Sequence, residues 1–399
     1  MSKTQNAPGG VRSPKSLADY LNDENVRAII YQIIAIGLVI LAGWYLVSNT
    51  LENLERQNIS TGYGFLDREA SFEISESMIE YSAQSPYSTA LMVGLLNTVK
   101  VSLLGIILCT IIGTIFGVAR LSSNWIVRKL ATVYVEFFRN IPVLLQLFFW
   151  YALIPNAFPH PRDAIELLPG VLLTSRGMYM PVPEAHIAFD IMAIAFAIAI
   201  VAVYFLSKWA RKRQDATGQP FPIVATGIGL IIGLPILAWL ISGAPSVMDV
   251  PELRGFNIRG GTNVSPEFLA VLVGLTVYTS AYVAEVVRSG IEAVPHGQWE
   301  AAESLGLRRS IALRKIILPQ SMRVTIPPLT NQYLNLTKNS SLAVAVGYPD
   351  LVSVSNTTMN QTGQAIEAIS IFMSIYLGLS LLTSLFMNWF NKKMALVER

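Results

Sequence analysis

Three cations stand inside otherwise apolar stretches of this sequence: Lys100, Arg139 and Lys338. An ionisable side chain at membrane depth is costly and is kept there by a partner or a task. Around Lys338 the chemistry is richest. Asn331, Asn335 and Lys338 are spaced by four and three, which puts them on one face of a helix, and Asn339, Ser340 and Ser341 follow. Such a face suits a translocation pathway, with amides and hydroxyls for a small polar solute and Lys338 for a carboxylate. A lysine snorkelling to the interface, beside asparagines that bond between helices, accounts for the same residues. Lys100 follows Asn97 on one face and either lines the same pathway or pairs with another helix. Glu136 and Arg139 are three apart, as are Glu285 and Arg288, so each pair can neutralise itself locally, as a structural pair or a gate. The single cysteine, Cys109, sits in an apolar run and reads as packing. With it and three scattered histidines, the chain offers no metal site and no Ser-His-Asp or Cys-His constellation.

Those residues need helices that cross a bilayer. Only 14% of the 399 residues are charged and 52% are hydrophobic, whereas soluble domains average about 25% charged. The apolar content excludes a disordered chain, and a net charge of +3 gives no argument for nucleic acid. The apolar residues form eight blocks: 29–48, 89–119, 131–154, 189–207, 222–242, 267–287, 324–346 and 366–390. About 20 residues cross a bilayer core. Block 89–119 is long enough to tilt or to begin at the interface, and block 324–346 is interrupted by Pro327, Pro328, Asn331, Asn335 and Lys338.

Basic residues orient this map. With both termini inside, twenty Lys and Arg fall in cytoplasmic segments and only Arg56, Arg68, Arg162, Arg176, Arg254 and Arg259 in outer loops, a strong positive-inside bias. The first block lacks a short basic n-region and a small-residue cleavage site, so it is expected to stay as a span. The expected organisation is a cytoplasmic segment 1–28, a first span 29–48, an acidic outer loop 49–88 and a first core part 89–154. Loops and an inserted helical pair, peripheral and free of intramembrane charge, follow over 155–266, then a second core part 267–390 and a cytoplasmic tail 391–399. The outer loop 49–88 suits either plain solvation or docking.

One cytoplasmic segment, 295–319, is patterned. It reads Glu300-Ala301-Ala302, three residues, Gly306, nine residues, then Ile316-Ile317-Leu318-Pro319. Two short helices divided by Gly306 can turn sharply, because glycine tolerates positive φ. Gly297 and the two alanines keep the first helix thin enough for a partner's groove, and Glu300 offers it a charge. Leu318-Pro319 is expected to stop the second helix and redirect the chain into the membrane. His296 is expected to orient the loop. The chain has no Gly-x-x-x-x-Gly-Lys-Ser/Thr phosphate loop, so it has no usual means of hydrolysing ATP itself.

This segment resembles the EAA loop of membrane subunits of binding-protein-dependent ABC importers. Tyr282-Val283-Ala284-Glu285-Val286-Val287-Arg288 before it, Leu336-Thr337-Lys338-Asn339-Ser340-Ser341-Leu342 after it, and Glu136-Phe137-Phe138-Arg139-Asn140-Ile141-Pro142 through Gln146 are similar to the polar amino-acid permeases, the histidine and glutamine branch included. The likeness covers roughly 88–155 and 267–390. By length and layout, the extra N-terminal span, large outer loops and inserted pair resemble the longer permeases of general L-amino-acid uptake systems. The resemblance implies an all-α integral membrane protein of about eight helices, a five-helix type I importer core plus the N-terminal helix and the inserted pair. It also implies an inner-membrane location, a second permease subunit forming a heterodimer, two cytosolic ATPase subunits that bind ATP and Mg, and a periplasmic solute-binding protein delivering an amino acid. No cofactor is expected on this chain. The alternative is an ion-coupled secondary transporter, which is expected to show related repeats and ion-coupling groups at the midplane; no such repeat is evident.

Overall fold

The computed structural model describes residues 24–56, 61–255 and 257–394. Of the expected cytoplasmic segments, residues 1–23, with Lys3, Arg12 and Lys15, and residues 395–399, with Arg399, lie outside the described residues. The chain is mostly helical. Helices α1 (Glu24–Arg56), α2 (Tyr87–Ala119), α3 (Trp125–Asn140) and α4 (Val143–Ala157) come first. The inserted pair is α5 (Ile187–Thr217) and α6 (Ile223–Ile241), followed by α7 (Pro266–Glu292). Then come α8 (His296–Ser304), α9 (Arg309–Ala312), α10 (Leu318–Asn339), α11 (Leu351–Thr362) and α12 (Ala365–Met394).

Six of these, α1, α2, α5, α6, α7 and α12, are long and apolar enough to cross a membrane, or seven spans if α3 and α4 count as one. The expected eight are not all found, for two physical reasons. Block 131–154 is broken: α3 and α4 meet at an angle of 104°. Pro142 has no N–H to continue the helix and forces Ile141 into an extended conformation (φ −101°, ψ 127°). The carbonyls freed at the bend are satisfied by the Gln146 amide, whose Nε2 donates to Phe138 O at 2.9 Å and Ile141 O at 3.0 Å. Block 324–346 is helical only to Asn339, continues as a 3₁₀ turn over Ser340–Val346, and is too polar to pass as an apolar span. It packs one face against α2, α7 and α12 and leaves the other exposed.

The centre of the bundle is the parallel pair α2 and α7. Along α2, Ala90 and Gly94, and further on Gly105, Cys109, Gly113 and Gly117, are buried at steps of four, a small-residue seam that lets backbones approach. A Cβ on Gly113 would lie 2.6 Å from Val283 Cβ, and one on Gly117 2.7 Å from Ala284 O. Cys109 belongs to this seam and packs, as expected. Leu147, Val271, Leu275, Ile326 and Leu336 complete the apolar core around it.

The two ends of the bundle differ. At the β end, where α2 and α7 begin, the loops 158–186 and 243–265 form small sheets that no alternation in the sequence had suggested. Strands β1 (Ile165–Leu168), β2 (Val171–Thr174), β3 (Gly177–Met180) and β8 (Thr262–Val264) make an antiparallel sheet in the order β1-β2-β3-β8. Strands β4 (Val182–Pro183) and β5 (Met248–Asp249) pair with each other, as do β6 (Glu252–Arg254) and β7 (Asn257–Arg259). Because β4 leads into α5 and β5 follows α6, the inserted pair hangs from a hydrogen-bonded neck. Its helices pack chiefly on one another, the peripheral arrangement expected. The other end, where α2 and α7 finish, carries the 295–319 segment and is the loop end.

Candidate coupling loop and polar helix face

At the loop end, α8 starts after Pro295 and is held straight by His296 Nδ1 against Glu300 Oε1, 3.0 Å apart one turn on. Ala302 faces inward and is buried, whereas Glu300 and Ala301 point away from the bundle. Gly297 has open space around its Cα. The helix ends in a Schellman turn: Leu307 N donates to Ala302 O (3.1 Å) and Gly306 N to Glu303 O (2.9 Å). This turn requires the positive φ of +68° found at Gly306. Gln320 Nε2 donates to Gln298 Oε1 at 3.1 Å and ties α8 back to α10.

Leu318-Pro319 does not stop the second helix, contrary to expectation. A π turn over Leu313–Ile317, with Ile316 half-buried and Ile317 fully buried, carries α9 directly into α10, and Ile317 and Leu318 keep helical angles. Pro319 stands in the first turn of α10, where a missing N–H costs little. The redirection of the chain is therefore done at Gly306 alone, and the stretch 309–339 is one continuous helical rod.

Along that rod, Asn331, Asn335 and Lys338 are exposed on one face, while Tyr333, Leu336 and Thr337 on the opposite face are buried. The spacing argument holds for these three. Asn339 is half-buried and Ser340 fully buried. Ser340 is turned inward, donating to Thr337 O at 2.7 Å, so it leaves the polar face because the 3₁₀ turn rotates it away. Ser341 donates to Lys338 O at 2.7 Å. Lys338 and Ser341 line a cleft of about 530 Å³ with Phe372, Tyr376, Leu377 and Ser380 of α12. Among the described residues Lys338 has no ion-pair partner.

Lys100 is not on this face. Its Nζ lies 2.5 Å from Glu76 Oε1 and 4.3 Å from the centre of the Phe268 ring. Glu76 is nearly buried and also accepts the Ser265 hydroxyl at 2.6 Å. Asn97 Nδ2 donates to the carbonyls of Glu76 (2.8 Å) and Pro349 (2.9 Å). Lys100 thus fastens the loop 61–86 to the β end of the bundle, an ion pair with a loop acid rather than with another helix. Glu76 was one acid among several in the loop sequence; nothing in its local pattern marks it for burial.

The local pair Glu136–Arg139 does not form either. Glu285 instead collects three guanidiniums: Arg288 at 2.6 Å, Arg139 at 3.6 Å and Arg120. Arg120 also reaches Glu136 at 3.8 Å, and Arg288 holds Glu292 at 2.5 Å. Glu285 and Arg288 do pair along α7, as spacing allows, but the cluster as a whole joins the ends of α2, α3 and α7. Arg120 stood only as a topology signal in the sequence, since its partners are 16 and 165 residues away.

Asp350 is a further buried acid that spacing left unmarked. It caps α11 by accepting Ser353 N–H at 2.9 Å and the Tyr376 hydroxyl at 3.3 Å. Burial pushes its carboxyl up to about 7, and burial likewise raises the neighbouring Tyr348 phenol.

A membrane-crossing helical bundle with a rigid, exposed two-helix loop at one end and an open polar helix face is a multi-pass membrane permease subunit. Residues 109–396 match the family described as binding-protein-dependent transport system inner membrane component, and the chain belongs to that family. It is 50% identical over 384 residues to the general L-amino acid transport system permease protein AapQ of Rhizobium johnstonii, covering 96% of each chain. It is 49% identical over 379 residues to the permease protein YhdX of Escherichia coli (strain K12), covering 94% of this chain and 95% of that one. It is 39% identical over 415 residues to the glutamate/glutamine/aspartate/asparagine transport system permease protein BztB of Rhodobacter capsulatus, covering 96% and 97%.

Proposed function

We propose that this chain is one of two permease subunits, in a heterodimer, of an ATP-driven importer of L-amino acids. The observation that carries the reading is the 295–319 loop, a stiff projection with Glu300 and Leu305 outward, rooted directly in the helix that bears Asn331, Asn335 and Lys338. In this reading the loop end and both termini are cytoplasmic, following the basic residues. Two cytosolic ATPase subunits hold ATP and Mg and grip α8, and a periplasmic solute-binding protein docks at the β end. No cofactor is bound by this chain.

Movement at the loop passes into the stretch 309–339, which stays helical through the π turn that leads α9 into α10. Closing of the ATPase pair drives the loops of the two permeases together, and the polar faces exchange inward for outward access. Lys338 meets the carboxylate of the amino acid, with Asn331, Asn335, Asn339 and Ser341 as neutral donors and acceptors. Kinship with a general L-amino-acid permease, matched over 96% of its length, supports the substrate class. Reconstitution with a companion permease, ATPase subunits and a binding protein tests the reading. Uptake of L-amino acids that requires ATP and the binding protein is expected. Uptake driven by an ion gradient without ATP overturns it.

A further inference from the structure

The loop end of the inserted pair carries a site that import does not use. Where α5 and α6 meet, a groove of about 470 Å³ runs between them. Its lining is mainly apolar, with Val203, Phe221, Ile228 and Ile231 beside Ser207 and Gln214, and it holds two cations, Arg211 of α5 and Lys393 of α12. Lys208, Lys212, Arg213 and Lys392 lie on the same turns. Asp215 is the single acid within 208–222 and 387–394. Among the described residues, none of these six cations makes an ion pair.

Positive-inside placement accounts for basic residues at this end but not for a groove leading from them into the apolar zone. Nor does it account for the aromatic rings beneath the cations. Lys208 Nζ lies 4.6 Å from the Tyr204 ring centre, and the Arg213 guanidinium 5.6 Å from Trp209. Lys393 Nζ is 5.1 Å from Trp389, and Trp209 packs edge-on to Phe221 at 5.5 Å. Aromatic rings of this kind sit at headgroup level, and basic pockets between membrane helices take anionic headgroups. The hairpin packs chiefly on itself, and its groove, lined at one side by Lys393 of α12, suits a molecule with an apolar body and an anionic end.

We propose that this groove binds an anionic phospholipid, with its phosphate between Arg211 and Lys393 and one acyl chain along the α5–α6 groove. The lipid then bridges the inserted pair to the last helix of the bundle. A free phosphate compound shares the headgroup chemistry but has nothing to place on the apolar wall.

The test uses the full chain, purified in its transporter complex and reconstituted in phosphatidylcholine nanodiscs containing one-fifth phosphatidylglycerol. Lipid retained after detergent extraction is read by native mass spectrometry. The wild-type chain is expected to retain phosphatidylglycerol in preference to phosphatidylcholine, and millimolar glycerol 3-phosphate is expected not to displace it. Arg211→Gln together with Lys393→Gln lowers retention about twenty-five-fold, at about fivefold for each cation removed from an anionic surface. Lys393→Gln alone, at an exposed helix end where folding is not at stake, lowers it about fivefold on the same scale. Arg128→Gln with Lys129→Gln, exposed at the same end but outside the groove, leaves it unchanged. Equal loss in both double variants, equal retention of the neutral lipid, or displacement by glycerol 3-phosphate overturns the proposal.

Discussion

Glu285 holds together three arginines that reach it from α2, α3 and α7, and its side chain is 26% exposed. Glu285→Gln leaves those guanidiniums facing one another and is expected to destabilise the bundle by about 1–3 kcal/mol, short of a fully buried pair because water reaches the cluster. Thermal unfolding in detergent measures it. Asp350 gives a pH dependence with a definite sign. Its folded carboxyl is raised to about 7, so its contribution to stability is full below the ordinary carboxylate range and is lost as pH rises through about 7. The melting temperature is expected to fall between pH 5 and 8, and Asp350→Asn, which still caps α11, flattens that fall. A wild-type profile no steeper than the variant's contradicts the assignment. Asn331, Asn335 and Lys338 were legible because helical spacing is a local property. Lys100, Arg120, Glu76 and Asp350 were not, because their roles depend on partners brought from distant segments.

At the scale of elements, single backbone requirements decide the geometry. Gly306 sits at φ +68°, and Gly306→Ala is expected to cost about 1–2 kcal/mol of local strain. The measurable result is a loop that misaligns: lower uptake per ATP hydrolysed, with the amount of folded protein nearly unchanged. Gly113 faces Val283 with no room for a side chain, so Gly113→Leu is expected to part α2 from α7 and cost about 3 kcal/mol or more, read as loss of folded protein on extraction. Pattern reading found the helices and Gly306, since glycine and proline act locally. It misplaced the effect of the prolines: Pro142, inside an apolar block, breaks α3 from α4, whereas Pro319, expected to break, rides in a first turn. Which outcome a proline has depends on whether a neighbour such as Gln146 receives the freed carbonyls, and that is a tertiary fact. The small sheets at the β end were equally hidden, because strands of two to four residues show no alternation.

For the whole molecule, a continuous helical stretch joins an exposed loop to a polar helix face, with the loop 61–86 fastened at the other end and a hairpin hung outside. Orientation is the first consequence: a cysteine at Ala301 is expected to react with an impermeant maleimide only from the cytoplasmic side, and one at Glu166 only from the periplasmic side. Apolar blocks sufficed for the membrane class, since hydropathy is a sum over many residues, and the charge bias supports the orientation proposed above. The blocks counted α10 with the apolar spans, whereas it is a polar helix with one face packed on the bundle and the other exposed. The most direct test of coupling through the loop is a paired measurement of ATP hydrolysis and amino-acid uptake by the reconstituted complex carrying Glu300→Lys. Glu300 is exposed, and among the described residues its side chain pairs only with His296. The account predicts that ATPase association and uptake fall together while the permease stays folded; association and uptake unchanged from wild type contradict it.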